Sequence, residues 1–276
     1  MRHEDIKLDC FRPLIMAIVN VTPDSFYSGS RTPEKESIVS RVREVVDEGT
    51  DIIDIGGYST RPGAEEVSCE EELRRVLLGV ECVRELFPNI PISIDTFRAA
   101  VVRGVVERYG AVIVNDISAG ELDSEMVAVV AELGLPYIAM HMRGTPQTMQ
   151  QMADYGDVAD DIYEYFKRRC RELTDSGISK IIIDPGFGFA KSTEQNYRLL
   201  SSLNRLKDIG YPILVGLSRK SMIYKVLRTT PEESLMGTSA LNWEALRQGA
   251  SILRVHDVKE AVQVRRLFEI FEESRG

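Results

Sequence analysis

Eight short apolar runs alternate with eight longer amphipathic ones along this chain, and each apolar run carries a polar residue at or near its carboxyl end. The apolar runs cover 14–20, 51–57, 92–96, 112–117, 137–142, 181–186, 213–218 and 251–256. The helical patterns cover 35–48, 70–86, 98–108, 124–133, 153–175, 193–207, 231–248 and 258–273. Short β-branched runs separated by amphipathic crossovers are the pattern of a parallel sheet covered by helices. Eight such units in 276 residues predict an α/β fold, a (β/α)8 TIM barrel, in preference to an open doubly wound sheet. The chain then reads as one domain over 1–276, with 1–13 as an N-terminal cap or extension.

Composition narrows the chemistry. A net charge of −9 argues against a surface that coats nucleic acid or an acidic membrane, so an anionic ligand needs a local basic pocket. No apolar run approaches the ~20 residues that cross a bilayer. Cys10, Cys69, Cys82 and Cys170 show neither CxxC nor Cys/His metal spacing. With no signal peptide ahead of Leu14, they read as reduced structural thiols of a cytoplasmic protein.

The polar residues at the strand tips are, in order, Asn20, Asp54, Asp95, Asn115, His141, Asp184, Ser218 and the Arg254/His256 pair. In such a barrel the carboxyl ends of the strands build the active site. Residues two apart project to the same side, so Arg254 and His256 share a direction, as do Ser93 and Asp95. One mouth is expected to hold three carboxylates and at least two cations, an arrangement that a polar, multiply charged ligand would stabilise. Plainer roles stand beside this one: Asp184 in "DPG" as a turn or helix cap, Arg254 as a structural partner of Asp54 or Asp95, and His256 as a packed strand-end residue.

Three loops add to the mouth. VTPDSF at 21–26 reads as a lid, and GGYSTRPG at 56–63 brings glycine hinges, Thr60, Arg61 and a rigid Pro62. LSRKS at 217–221 carries Arg219 and Lys220 into a short helix opened by Ser221, either as a solvated basic turn or as an anion site after the seventh strand.

NVTPDSF at 20–26, IGGYSTRPGA at 55–64, ISIDT at 92–96, VNDISAG at 114–120, MHMRGTPQTMQ at 140–150, DPGFGFAK at 184–191, LVGLSRKSMI at 214–223 and RVHDV at 254–258 together resemble the bacterial dihydropteroate synthase family. The likeness runs in order over nearly the whole chain. Tyr58 stands where that family often has Glu, and Ala119 and Ala190 where Gly is common. The resemblance implies a pterin-binding transferase of folate synthesis, a sulfonamide target, that joins dihydropterin-6-ylmethyl diphosphate to 4-aminobenzoate and releases diphosphate.

Site roles follow from the resemblance and the chemistry together. Asp184 accepts from the adjacent amino and ring N–H groups of the pterin in a charge-assisted fork, Asn115 and Asp95 complete the ring edge, and Lys220 donates to the ring carbonyl. By resemblance Thr60, Arg61, Arg254 and His256 take the diphosphate, and Asn20 helps to hold Mg²⁺ on its oxygens. The aminobenzoate slot comprises Phe26, Thr60, Pro62, Phe187, Lys220 and Ser221. Asp95, Asp184, Lys220 and Arg254 form the catalytic set for an SN1-like ionisation of the pterin carbon–oxygen bond. A homodimer through 231–248 and 258–273 is the family expectation. A folate-dependent methyl-transfer barrel and a non-catalytic pterin-binding homologue are the alternatives.

Overall fold

The computed structural model describes residues 12–21, 31–58, 67–145, 147–149 and 152–275, with the side chains of 31–33 excepted. Among them, eight strands alternate with helices: β1 (Leu14–Asn20), α1 (Arg31–Asp47), β2 (Ile52–Gly56), α2 (Cys69–Leu86), β3 (Ile92–Asp95), α3 (Ala99–Tyr109), β4 (Ile113–Asp116) and α4 (Met126–Glu132). The second half continues with β5 (Tyr137–Met140), α5 (Val158–Asp175), β6 (Ile181–Asp184), α6 (Thr193–Ser201), β7 (Leu214–Val215), α7 (Ser221–Leu227), α8 (Leu235–Arg247), β8 (Ile252–Val255) and α9 (Val258–Glu273). The strands pair in parallel in the order β6-β5-β4-β3-β2-β1-β8-β7. A single parallel bridge, Ile183 to Ile213, joins the two ends of that order, and Ile183 N–H donates to Pro212 O at 2.9 Å. The sheet is thus a nearly closed barrel, as the alternation requires.

The strands form because their β-branched residues fill both faces. β2, β4, β5 and β6 are buried at every position, each large aliphatic side chain contributing ~1.5–3 kcal/mol of transfer free energy. Caps fix where the helices start. Asp157 accepts from Ala159 and Asp160 N–H at the head of α5, and Ser192 with Gln195 forms a capping box on α6. The helical pattern at 193–207 is realised as α6 followed by a 3₁₀ segment, Leu203–Ile209, ended by Gly210 in the left-handed region.

The two barrel ends differ in chemistry. At the amino-terminal end Asp51 accepts from Ile15 N–H at 2.8 Å and pairs with Arg265 of α9 at 2.5 Å and Arg12 at 2.5 Å. That network ties α9 to the start of β1. Of the 1–13 segment only Arg12 and Pro13 lie within the described residues. The carboxyl-terminal end gathers the strand-tip residues.

Candidate active site

Register places Asn20, Asp95 and Asn115 in one layer through Gly56, with Asp54 one layer deeper beside Ser93. Asn20 pairs with Gly56, Gly56 with Asp95, and Asp95 with Asn115. Arg254, on β8 across from Met16, reaches inward to both acids. Its Nε donates to Asp54 Oδ2 at 2.6 Å and its Nη2 to Asp95 Oδ2 at 2.6 Å. Asn115 Nδ2 donates to the same Asp54 oxygen at 3.1 Å. Arg254 therefore does make the carboxylate pairs that its strand position allowed, with both acids at once. A five-donor guanidinium retains donors beyond these two bonds.

Burial sets the charge states. It pushes the Asp95 carboxyl up to about 7, against the pull of Arg254 and with the push of Asp54, Glu72 and Asp116. Asp184 is likewise raised by burial, with Lys220 and the Gly186 N–H opposing. Lys220 is pushed down to about 8 by burial, with Asp184 countering. Burial alone would lower Arg254, but Asp54 and Asp95 carry it upward. Perturbed acids and a perturbed amine gathered at one barrel mouth mark a functional site.

The other half of the mouth is built by the turns after β6 and β7. Asp184 Oδ1 accepts from Gly186 N–H at 2.8 Å, and Lys220 Nζ donates to Phe187 O. A Cβ on Gly216 would lie 3.8 Å from Arg254 Cβ and 3.9 Å from Lys220 Nζ, so that glycine sits in the gap between the two cations. His256 donates its N–H to Ser218 Oγ at 3.2 Å, with its Nδ1 3.1 Å from the same oxygen. Ser221 opens α7 directly after Lys220.

The structure thus brings together Asn20, Asp95, Asn115, Asp184, Lys220, Ser221, Arg254 and His256. Phe26, Thr60, Arg61 and Pro62 lie outside the described residues. Phe187 needs correction: its ring has no exposed surface and belongs to the hydrophobic core, so it offers no wall to a ligand. The ring beside Lys220 is that of Phe189, whose centroid lies 4.9 Å from Nζ. The adjacent cations also part company. Arg219 turns away to a two-bond pair with Asp257 at 2.9 and 2.8 Å, so of the two only Lys220 reaches the mouth.

Asp54, noted only as a strand tip and as a partner for Arg254, is fully buried, and its Oδ1 has no partner among the described residues. A buried carboxylate oxygen of this kind, beside Asn115, calls for a donor such as an ordered water. Ala119 and Ala190 both sit in the left-handed region, at φ 50° and 49°, the physical reason for glycine at such positions. Tyr58 packs edge-on against Phe97 at 5.5 Å, with Arg98 5.5 Å from its ring.

The fold and site define a (β/α)8 enzyme whose carboxyl-terminal mouth gathers acids, an amide and cations. The pterin-binding enzyme family matches residues 16–256. A dihydropteroate synthase of Synechocystis sp. is 45% identical over 256 residues, covering 92% of this chain and 88% of that protein. The solved Yersinia pestis dihydropteroate synthase in a sulfonamide drug complex superposes with a TM-score of 0.91 at 39% identity, covering 99% of each chain. The Xanthomonas albilineans enzyme in complex with 7,8-dihydropteroate gives 0.84 at 37% identity, over 97% of this chain and 95% of that one. The chain belongs to the pterin-binding enzyme family, among its dihydropteroate synthases.

Proposed function

We propose that this chain condenses (7,8-dihydropterin-6-yl)methyl diphosphate with 4-aminobenzoate to give 7,8-dihydropteroate and diphosphate. The observation that carries this reading is the pairing, in one mouth, of a carboxylate-and-amide edge with a cationic edge. Asp184, Asp95 and Asn115 match the donors and acceptors of a pterin, while Arg254 and His256 face a leaving anion. Asp54, fully buried behind them, holds Arg254 and Asn115 in place.

Ionisation of the carbon–oxygen bond leaves a methylene cation delocalised into the dihydropterin. Asp95 and Asp184 favour that cation, and Arg254 and His256 stabilise the departing diphosphate, so charge separation is supported at both ends. The aryl amine is neutral and nucleophilic near pH 7, so its attack needs no strong general base. Phe189 and the Lys220 stem border the place where it stacks, with Ser221 beside them. Thr60, Arg61, Pro62 and Phe26 complete the two subsites by sequence.

Mg²⁺ is the metal this reaction calls for, and Asn20 fits it. The Asn20 side chain is exposed, and its Oδ1 lies over Gly56, where a Cβ would come within 3.3 Å. A hard cation held mainly by phosphate oxygens needs few protein ligands, and a single carboxamide oxygen is suitable. When bound there, the ion would neutralise charge on the diphosphate oxygens.

A second copy of the chain is the partner supported by the surface. Met236, Leu267 and Ile270 are exposed on α8 and α9, and Trp243 packs edge-on to Phe268 and Phe271. Apolar exposure across two adjacent helices exceeds what packing on a barrel requires and suits a homodimer. Cytoplasmic residence is inferred from the thiols. Cys69, Cys82 and Cys170 are unpaired, and burial pushes Cys82 up to about 11 and Cys170 to about 12. Among the described residues no helix is long and apolar enough to cross a membrane.

The deciding experiment supplies dihydropterin diphosphate with and without 4-aminobenzoate, and with and without Mg²⁺, and measures diphosphate. Amine-dependent release is expected. Its absence with both substrates and the metal present would overturn the synthase reading.

A further inference from the structure

Lys191 ends the DPGFGFAK stretch and is almost entirely buried. Its Nζ donates to Gly186 O at 2.9 Å and Phe189 O at 3.0 Å, and lies 3.2 Å from His141 Nδ1. Burial, then the charges of Lys191 and Arg143, push His141 well below the usual histidine range. The imidazole is therefore held neutral and adds no second positive charge beside Lys191. Among the described residues no carboxylate lies within ion-pair distance of Lys191, and burial pushes its ammonium down to about 7. A buried amine bonded only to neutral acceptors is costly, so what those bonds hold is informative.

They hold the turn that carries both substrate contacts of β6. Gly186 N–H donates to Asp184 Oδ1 at 2.8 Å, while the Gly186 carbonyl accepts from Lys191 and from Phe189 N–H at 3.1 Å. Gly186 stands at φ 69°, and a Cβ there would come within 2.1 Å of His141 O, so the turn is pressed against the end of β5. The second carbonyl bound by Lys191 belongs to Phe189, whose ring lies beside Lys220.

We propose that Lys191 is a positioning residue for dihydropteroate formation, tying the 186–189 turn to His141 and so fixing the spacing between Asp184, at the pterin, and Phe189, at the aryl amine. The proposal rests on the synthase reading of the site. Lys191 touches neither substrate. Its removal therefore loosens both subsites together, where loss of a direct contact weakens one.

The test compares Lys191→Met and Lys191→Gln with the parent in the full-length protein. It measures KM for each substrate, kcat, the thermal midpoint, and calorimetric affinity for the dihydropterin alcohol, which needs no turnover. Lys191→Met is expected to raise both KM values by roughly tenfold, weaken the pterin alcohol by a similar factor, and change kcat by less than about threefold, a tenfold change being 1.4 kcal/mol. Lys191→Gln, which keeps a donor for one carbonyl, falls between, and it carries the test if the Met variant does not fold. Val105→Ala, in the buried face of α3, is the control that lowers the midpoint without moving either KM. A lowered midpoint with unchanged KM values, or a rise confined to one substrate, overturns the proposal. A parent that binds the pterin alcohol but releases no diphosphate overturns the synthase reading and leaves the binding comparison standing.

Discussion

Replacing Arg254 with Met asks how the mouth is held together. The guanidinium lies 2.6 Å from Asp54 and 2.6 Å from Asp95, and Met preserves much of the aliphatic stem while deleting the charge. Among the described residues Asp54 would keep one donor, Asn115 Nδ2 at 3.1 Å. Removing one member of a buried pair costs ~3–5 kcal/mol. The Arg254 and Asp95 side chains retain 21% and 17% exposure, so the low end, about 3 kcal/mol, is expected.

The loss also has a defined pH dependence. The folded-state value of Asp95 is raised to about 7, so its ionisation opposes folding as the pH climbs from the ordinary carboxylate range to that value. Without Arg254 the raising is stronger, and the falling stretch extends above pH 7. One proton changes stability by at most ~1.4 kcal/mol per pH unit, so the gap between parent and variant widens by roughly 1–2 kcal/mol from pH 7 to about 8.5. Urea unfolding at about pH 6, 7 and 8.5 reads this directly. A difference below about 1 kcal/mol throughout, or one that shrinks as the pH rises, would refute the account.

Asp184→Asn keeps the shape of the pterin anchor but loses the charge-assisted fork, and calorimetry with the dihydropterin alcohol should show affinity falling by ~1.5–3 kcal/mol, an unchanged constant removing Asp184 from the role. Asp95→Asn should slow diphosphate release at saturating substrate by at least about tenfold, and release as fast as the parent's would remove Asp95 from stabilising the cation. Ala190→Gly relieves a left-handed alanine at φ 49° worth ~1–2 kcal/mol of strain against ~0.4–1 kcal/mol of added unfolded-state freedom and ~0.8 kcal/mol for the buried methyl lost, so thermal unfolding should show a change within about 1 kcal/mol of the parent. A loss of more than about 1 kcal/mol would contradict the strain argument. Phe271→Glu puts a charge into the apolar α8/α9 surface and should shift sedimentation toward monomer, and a parent that is itself monomeric would dispose of the homodimer.

Much of this was legible in the chain because the barrel writes itself as local pattern. The three isoleucines before Asp184 and the tips Asn20, Asp95 and Asn115 sit where alternation places them, since a regular strand carries parity forward. Parity fails past the strand end. Gly186 and Gly188 both take positive φ, and that double reversal sends Phe187 into the core and Phe189 to the mouth. The same physics separates Arg219 from Lys220, because Arg219 itself stands at φ 54° and its side chain leaves in another direction. The pairing of Arg254 with Asp54 or Asp95 was legible from strand position across 200 residues of chain, but that Arg254 binds both at once shows only when the barrel closes. Lys191 gave no signal as a lone lysine after a glycine-rich turn. Its role is written in the carbonyls that surround it.

The shortness of β7 bears on how the barrel is held closed. Seven of the neighbouring strand pairs are laced by ladders, while β6 and β7 meet through the single bridge at Ile183 and Ile213. That makes the β6/β7 junction the most thinly laced seam in the cylinder. Asp184 stands at the tip on one side of the seam and Lys220 in the turn on the other. On the proposed reading of the site, a ligand gripping both would act as a rivet across the gap, doing there what ladders of hydrogen bonds do between the other strands.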